Sequence, residues 1–172
     1  LAGGGAAAVL IGREIGRGNR DQVQRKAWVL DALALVVGLV CMGIIALVRN
    51  VLLRPYILPL MHMEGTACDI AMYMMLIMIF VQPLSSVSLT NIVGVLRGGG
   101  DVNASLVIDN FPLWCGTLPM MCLLGLVLKV PNEVFCLCLM IEYIIKSPIG
   151  LYRLHSGKWI HDVTRTAGEL EA

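Results

Sequence analysis

Residues 70–96 carry no charged side chain, and Asp69 and Arg97 bracket the run. About 20 apolar residues cross a bilayer core as a helix, so this stretch is long enough to span with some tilt. Its second half differs from a lipid-facing surface. Gln82, Ser86 and Thr90 recur every four residues, with Ser85 beside them, and so line one side of a helix. Pro83 removes a backbone donor in mid-span and predicts a bend there. Such a helix needs neighbouring helices or a water-filled path to satisfy its polar groups. Upstream, Met72, Met74, Met75 and Met78 bring adaptable thioethers suited to repacking around apolar ligands, although Met is also an ordinary lipid-facing residue.

The rest of the chain has the same character. Hydrophobic residues make up 58% of 172 and charged ones 15%, against about 25% charged in soluble domains. With a mean hydropathy of +0.80, this is the composition of an integral membrane protein. A net charge of +1 implies nothing about partners, and no basic patch suggests nucleic acid. Cys41, Cys68, Cys115, Cys122, Cys136 and Cys138 lie in or beside apolar runs without a Cys-x-x-Cys pair, and read as small buried hydrophobes with no metal site.

The chain opens at Leu1 inside a Gly- and Ala-rich segment, 1–12, that reads as the tail end of an apolar helix too short to span. We therefore expect a fragment that lacks an N-terminal part. Gly12 and Gly16 form a small-xxx-small pair or cap the helix end. Spans are expected at about 27–48, 69–96, 103–128 and 134–152, making residues 1–152 a transmembrane bundle and 153–172 an amphipathic tail. Asp31, one turn inside the first span, is expected to stay solvated near the headgroups. Residues 49–67 read as a loop with an interfacial turn over 56–63 that includes His62, and Trp159 reads as an interfacial anchor.

Four spans put the 13–26 loop, the Arg97 turn and the tail on one side. That side carries Arg13, Arg17, Arg20, Arg25, Lys26, Arg97, Arg153, Lys158 and Arg165. The other carries Arg49, Arg54 and Lys129, while Lys146 lies within the membrane. The asymmetry predicts a cytoplasmic basic side and C-terminus.

No catalytic constellation appears, so no enzyme is expected. Leu96-Arg97-Gly98-Gly99-Gly100-Asp101 lacks the Lys and Ser/Thr of a phosphate-binding loop and follows a spanning helix instead of a strand. It reads as a helix C-terminus with glycine in the left-handed cap and Arg97 at the negative dipole end. Within the spans, Glu142 and Lys146 are four apart on one face, either a mutual ion pair or part of a transport path. Asp109, about two turns into its span and followed by Pro112, needs a partner or a wet cavity.

These motifs resemble those of multidrug and toxic compound extrusion (MATE) transporters. The run Gly12-Arg-Glu-Ile-Gly16-Arg-Gly18-Asn19 is similar to the end of their eighth helix, and Asn91 to Asp101 to the exit of the tenth. Asp109, Trp114 and Pro119, then Glu142, Lys146, Arg153 and Ser156-Gly-Lys158-Trp159, are similar to the eleventh and twelfth helices and tail of bacterial members. The resemblance implies the second lobe of a twelve-helix transporter in the cell membrane, exporting organic, often cationic, compounds against Na⁺ or H⁺. Gln82, Ser85, Ser86, Met75 and Met78 would help line the substrate path. Asp109, Glu142 and Lys146 would be candidate intramembrane polar or coupling groups, and Gly12, Gly16, Arg97, Gly98, Gly100 and Asp101 structural motif residues. The implied partners are the other lobe, the bilayer and small organic substrates, with no resident cofactor. In one branch the tenth helix bears a cation-binding Asp, but here Ser85 or Ser86 holds the matching place. In another branch the key carboxylate lies on the first helix. Alternatives are a lipid or polysaccharide flippase of the same architecture and a non-transporting membrane scaffold.

Overall fold

In a computed structural model that describes residues 2–18, 20–57, 65–128, 130 and 132–161, every regular element is helical. Helix α1 is Ala2–Ile15 and α2 is Arg20–Val48, continued by Arg49–Ile57 in a wider, i→i+5 winding. Helix α3 is Thr66–Ser88, continued in the same wide winding by Leu89–Leu96. Helix α4 starts as Val102–Pro112 and runs on through Leu113–Thr117, Leu118–Cys122 and Leu123–Val127. Helix α5 is Asn132–His155. Regular winding ends at Pro112 in α4, and Pro55 sits within the wide end of α2. A missing N–H leaves a carbonyl without its partner and favours such local rewinding.

Among the described residues, three helices are long and apolar enough to cross a membrane: Asp21–Leu53, Cys68–Leu96 and Val102–Val127. Helix α5 has 24 residues, and several of its side chains lie outside the described set. The loop expected from residue 49 is helical as far as Ile57. His62, Lys129 and the tail beyond residue 161 lie outside the described residues, as does the side chain of Cys136. Cys138 is buried as expected, but Cys115 and Cys122 are exposed on α4.

Outward faces carry the apolar load. Val29 is 62% exposed, Val36 56%, Phe111 61%, Trp114 67% and Leu126 77%. Large side chains that open would not face water in such density; the surface suits lipid or another protein.

Burial concentrates at one end, where α1 finishes, α2 begins, α3 turns into α4 and α5 stops. There Ile11, Val23, Ala27, Ile92, Val95, Leu96, Leu154 and Trp159 form one cluster. Trp159 corrects the sequence reading: instead of anchoring at an interface it is wholly buried. Its Nε1–H is shared between Gln24 Oε1 and the Leu154 carbonyl, each at 3.1 Å. Gln24 Nε2 also donates to the Leu154 carbonyl at 2.7 Å, and the His161 N–H to the Gly99 carbonyl at 2.8 Å. The tail is thus tied to two other elements by satisfied polar groups, as a buried indole requires.

Glycine sets how closely the elements approach. A Cβ on Gly98 would stand 2.7 Å from Ala8 Cα, and one on Gly99 2.3 Å from Trp159 Cε3. On α2, a Cβ on Gly38 would stand 2.8 Å from Pro83 Cα, so α2 and α3 touch backbone to backbone where α3 lacks an N–H. Gly99→Ala should destabilise by about 1–3 kcal/mol through overpacking. Gly3→Ala, which meets nothing within 4 Å, should be near neutral. Thermal unfolding in detergent separates the two.

Outside the spans, Glu14 is nearly buried and pairs with Lys26 at 2.9 Å and Arg17 at 2.8 Å. The Lys26 hydrogen bond, helped by the charges of Lys26 and Arg17, holds the Glu14 carboxyl below its usual range, although burial opposes this. A carboxylate lowered in the folded state adds stability above its unfolded value and loses it as pH falls through the folded one. Glu14→Gln should therefore lower the unfolding midpoint at neutral pH. Wild type and variant should converge only as pH falls through the lowered range of Glu14.

Candidate functional site

The turn 97–101 joins α3 to α4 and locates most of the polar groups around it. The Asp101 N–H donates to the Leu96 carbonyl at 3.0 Å and the Gly100 N–H to the Arg97 carbonyl at 3.1 Å. With Gly100 at φ 87°, this is the paired closure of a Schellman cap. Asp101, nearly buried, accepts from Arg153 of α5: Nε lies at 2.8 Å and Nη2 at 2.7 Å from Oδ2. Gly12 lies against the Gly98 carbonyl, at 3.7 Å from the position of a Cβ, while Gly16 sits in the turn after α1.

Arg97 points away from its own cap. Its Nε donates to Ser105 Oγ at 2.9 Å and its Nη2 to Asp109 Oδ2 at 3.4 Å, both on α4. Ser105 Oγ donates in turn to the Ile92 carbonyl at 2.9 Å. From α5, Lys146 Nζ donates to Asp109 Oδ1 at 3.1 Å and to Glu142 Oε1. Three elements thus supply four charges that balance, Arg97 and Lys146 against Asp109 and Glu142.

The network is closed at one end and open at the other. The side chains of Lys146 and Glu142 are 9% and 11% exposed, those of Arg97 and Asp109 34% and 39%. Asp109 and Lys146 line a cavity of about 100 Å³ with Ser85, Ser88, Leu89 and Tyr143. Charge held together on one side of such a cavity can bind a polar solute, or exchange partners when one arrives, without leaving an ion uncompensated in an apolar setting.

The remaining expected residues divide between surfaces. Ser86 and Thr90 line a second cavity, of about 230 Å³, against α1 and α2 with Gly4, Ala7 and Ala34. Ser86 Oγ donates to the Gln82 carbonyl at 3.0 Å, and Gln82 and Met75 are half-buried. Met78 is 47% exposed on the outer surface. Ser85 and Ser86 therefore face different cavities, as neighbours 100° apart on a helix must.

Some polar contacts were missed in the sequence. Ser88 Oγ and Ser147 Oγ hydrogen bond at 2.8 Å between α3 and α5. Ser88 stands one turn beyond Ser85, a spacing that could have revealed it. Asp31 also departs from expectation: it is 4% exposed, not solvated, and accepts from Asn91 Nδ2 at 2.6 Å. Only the packing of α2 on α3 brings those two together.

A family model, MatE, matches residues 1–116, which cover α1 to α3 and the first part of α4. The chain belongs to the MatE family. Membership places it among efflux transporters of the MATE type, which are membrane transporters and not enzymes. No curated protein and no solved structure matches it. Asp31, Arg97, Asp101 and Asp109 lie inside the stretch matched by MatE, whereas Glu142, Lys146 and Arg153 lie beyond it.

Within this MatE chain, Lys146 compensates two carboxylates at once. Lys146→Met should cost about 3–5 kcal/mol, because Glu142 is left buried without a cation. Glu142→Gln/Lys146→Met should recover most of that loss. A thermal-unfolding double-mutant cycle measures both.

Proposed function

We propose that this chain forms the C-terminal lobe of a cation-coupled antiporter that exports organic, often cationic, compounds by alternating access. In that mechanism two lobes rock around a site near the membrane midplane. Na⁺ or H⁺ moving inward supplies the driving force, and the protein resides in the cell membrane with its C-terminus in the cytoplasm. The basic groups of residues 13–26, the Arg97 turn and the tail support that orientation. The partner is the other lobe of the same transporter.

The observation that carries the reading is the open end of the ionised network. Asp109 is the more exposed of its two carboxylates and faces a cavity shared with Ser85, Ser88 and Lys146. Substrate would pass this side of α3, with Ser85, Gln82 and Met75 lining the path; Ser86 and Met78 would act where the bundle meets α1 and the facing lobe. An arriving organic cation or proton takes a share of the Asp109 charge from Lys146 and Arg97, loosening α4 from α5. A flippase would need cations to hold phosphates, and Arg97 and Lys146 are already engaged by carboxylates.

Asp109→Asn in the full chain, expressed at normal levels, should reduce drug resistance to near that of cells without the transporter. Growth under drug and counterflow in vesicles report the loss. Wild-type resistance would remove Asp109 from the mechanism.

A further inference from the structure

We propose that Asp31 is a proton-exchange site built into the contact between α2 and α3, separate from the Asp109–Glu142–Lys146 network. Asp31 is 4% exposed and Asn91 1%. Asn91 Nδ2 donates to Asp31 Oδ2 at 2.6 Å. The other oxygen of each, Asp31 Oδ1 and Asn91 Oδ1, is buried without a hydrogen-bond partner; among the described residues no other side-chain N or O is so placed. A buried acceptor without a donor keeps its full desolvation penalty, and a larger one when it carries charge.

Among the described residues no cation pairs with Asp31. It lines a cavity of about 390 Å³ with Trp28, Leu35, Pro83, Ser147 and Leu151, and among the described residues is the only ionisable one there. From α3 the facing groups are Pro83, Leu84, Val87 and Asn91; from α5, Ser147 and Leu151. Helix α1 presents Gly3, Gly4 and Ala7 to the neighbouring face of α2. Several of the charged groups on these elements are engaged elsewhere, and none of them lines this cavity. Glu142 and Lys146 pair with one another and with Asp109, Arg153 holds Asp101, and Glu14 holds Lys26 and Arg17. His155 packs edge-on against Trp28, with ring centroids 6.4 Å apart. Helix α5 covers the amide as well, since a Cβ on Gly150 would stand 3.2 Å from Asn91 Oδ1.

Size and donor count choose the ligand. Two side-chain oxygens fall short of the six or more that hard divalent ions take. Asp31 Oδ1 has almost no accessible surface, so an organic cation has no way to touch it. A proton needs neither room nor a shell of ligands. Bound at Oδ1, it removes the charge and leaves Oδ2 to accept from Asn91. Released once water has entered and reached Oδ1, it leaves a carboxylate with one hydrogen bond from the protein, which further water must solvate. No other bond changes. Proton exchange is thereby linked to drying and wetting of a cavity beside Pro83, where the two backbones touch. The inference stands on this geometry and does not require the transport reading.

Infrared difference spectra of the purified full chain in lipid, between acid and alkaline pH, test it. A carbonyl band of a protonated carboxylic acid should titrate in wild type and in Asp109→Asn, and be missing from Asp31→Asn. If Asp31→Asn still shows every titrating band of wild type, the site is refuted; so is a wild type without any such band. Should Asp31→Asn fail to fold, Asn91→Leu replaces it. Loss of the amide donor should move the band to higher frequency, and an unmoved band overturns the assignment.

Discussion

The bundle depends on a backbone contact that only glycine permits. At the end of α3, Gly98 lies against Ala8 of α1 and Gly99 against the Trp159 ring, at separations that leave no room for a Cβ. Once the turn is that close, its other members have defined partners. Gly100 closes the helix, Arg97 reaches Ser105 and Asp109, and Asp101 receives Arg153. Four elements converge on five residues. Between helices in a membrane there is little hydrophobic driving force, so close packing and satisfied hydrogen bonds hold this end together.

A second constraint comes from charge. Each ion in the interior must have a partner or be able to lose its charge, and the chain uses both answers. Around Asp109 the answer is balance: two cations and two carboxylates on three elements, closed at Glu142 and open toward a cavity. Around Asp31 the described residues supply one amide, one apolar cavity and no cation. The first arrangement can exchange partners without exposing a net charge. The second can hold a carboxyl comfortably only when that group is neutral. Placing the two on opposite sides of α3 gives this helix separate electrostatic environments along its two polar faces.

Much of the fold was legible because lipid makes a coarse solvent. Uncharged runs long enough to cross it, separated by glycine, proline and basic residues, reveal helices at 69–96 and 103–128 to within a few residues of those observed. Helix α2 was underestimated at both ends, since polar residues such as Gln24 and Arg49 keep a helix when a neighbour or solvent satisfies them. The site was legible only in part. The four-residue spacing of Glu142 and Lys146 foretells their meeting, because a helix enforces it. Asp109 joins them from another helix across 37 positions, and no local period encodes that.

Composition and spacing by themselves determined that this is a helical membrane protein with a glycine cap after α3 and intramembrane ions in need of partners, and its ordered motifs resemble those of the MATE family. Those properties follow from solvation and helical period, which act on neighbours along the chain. Tertiary structure decided who the partners are. It gave Arg153 to Asp101, Lys146 to Asp109 and Asn91 to Asp31, and drew Trp159 out of the interface into the core. Such pairings depend on how closely two helices approach and at what rotation, and both are set by backbone contacts between residues far apart in the chain.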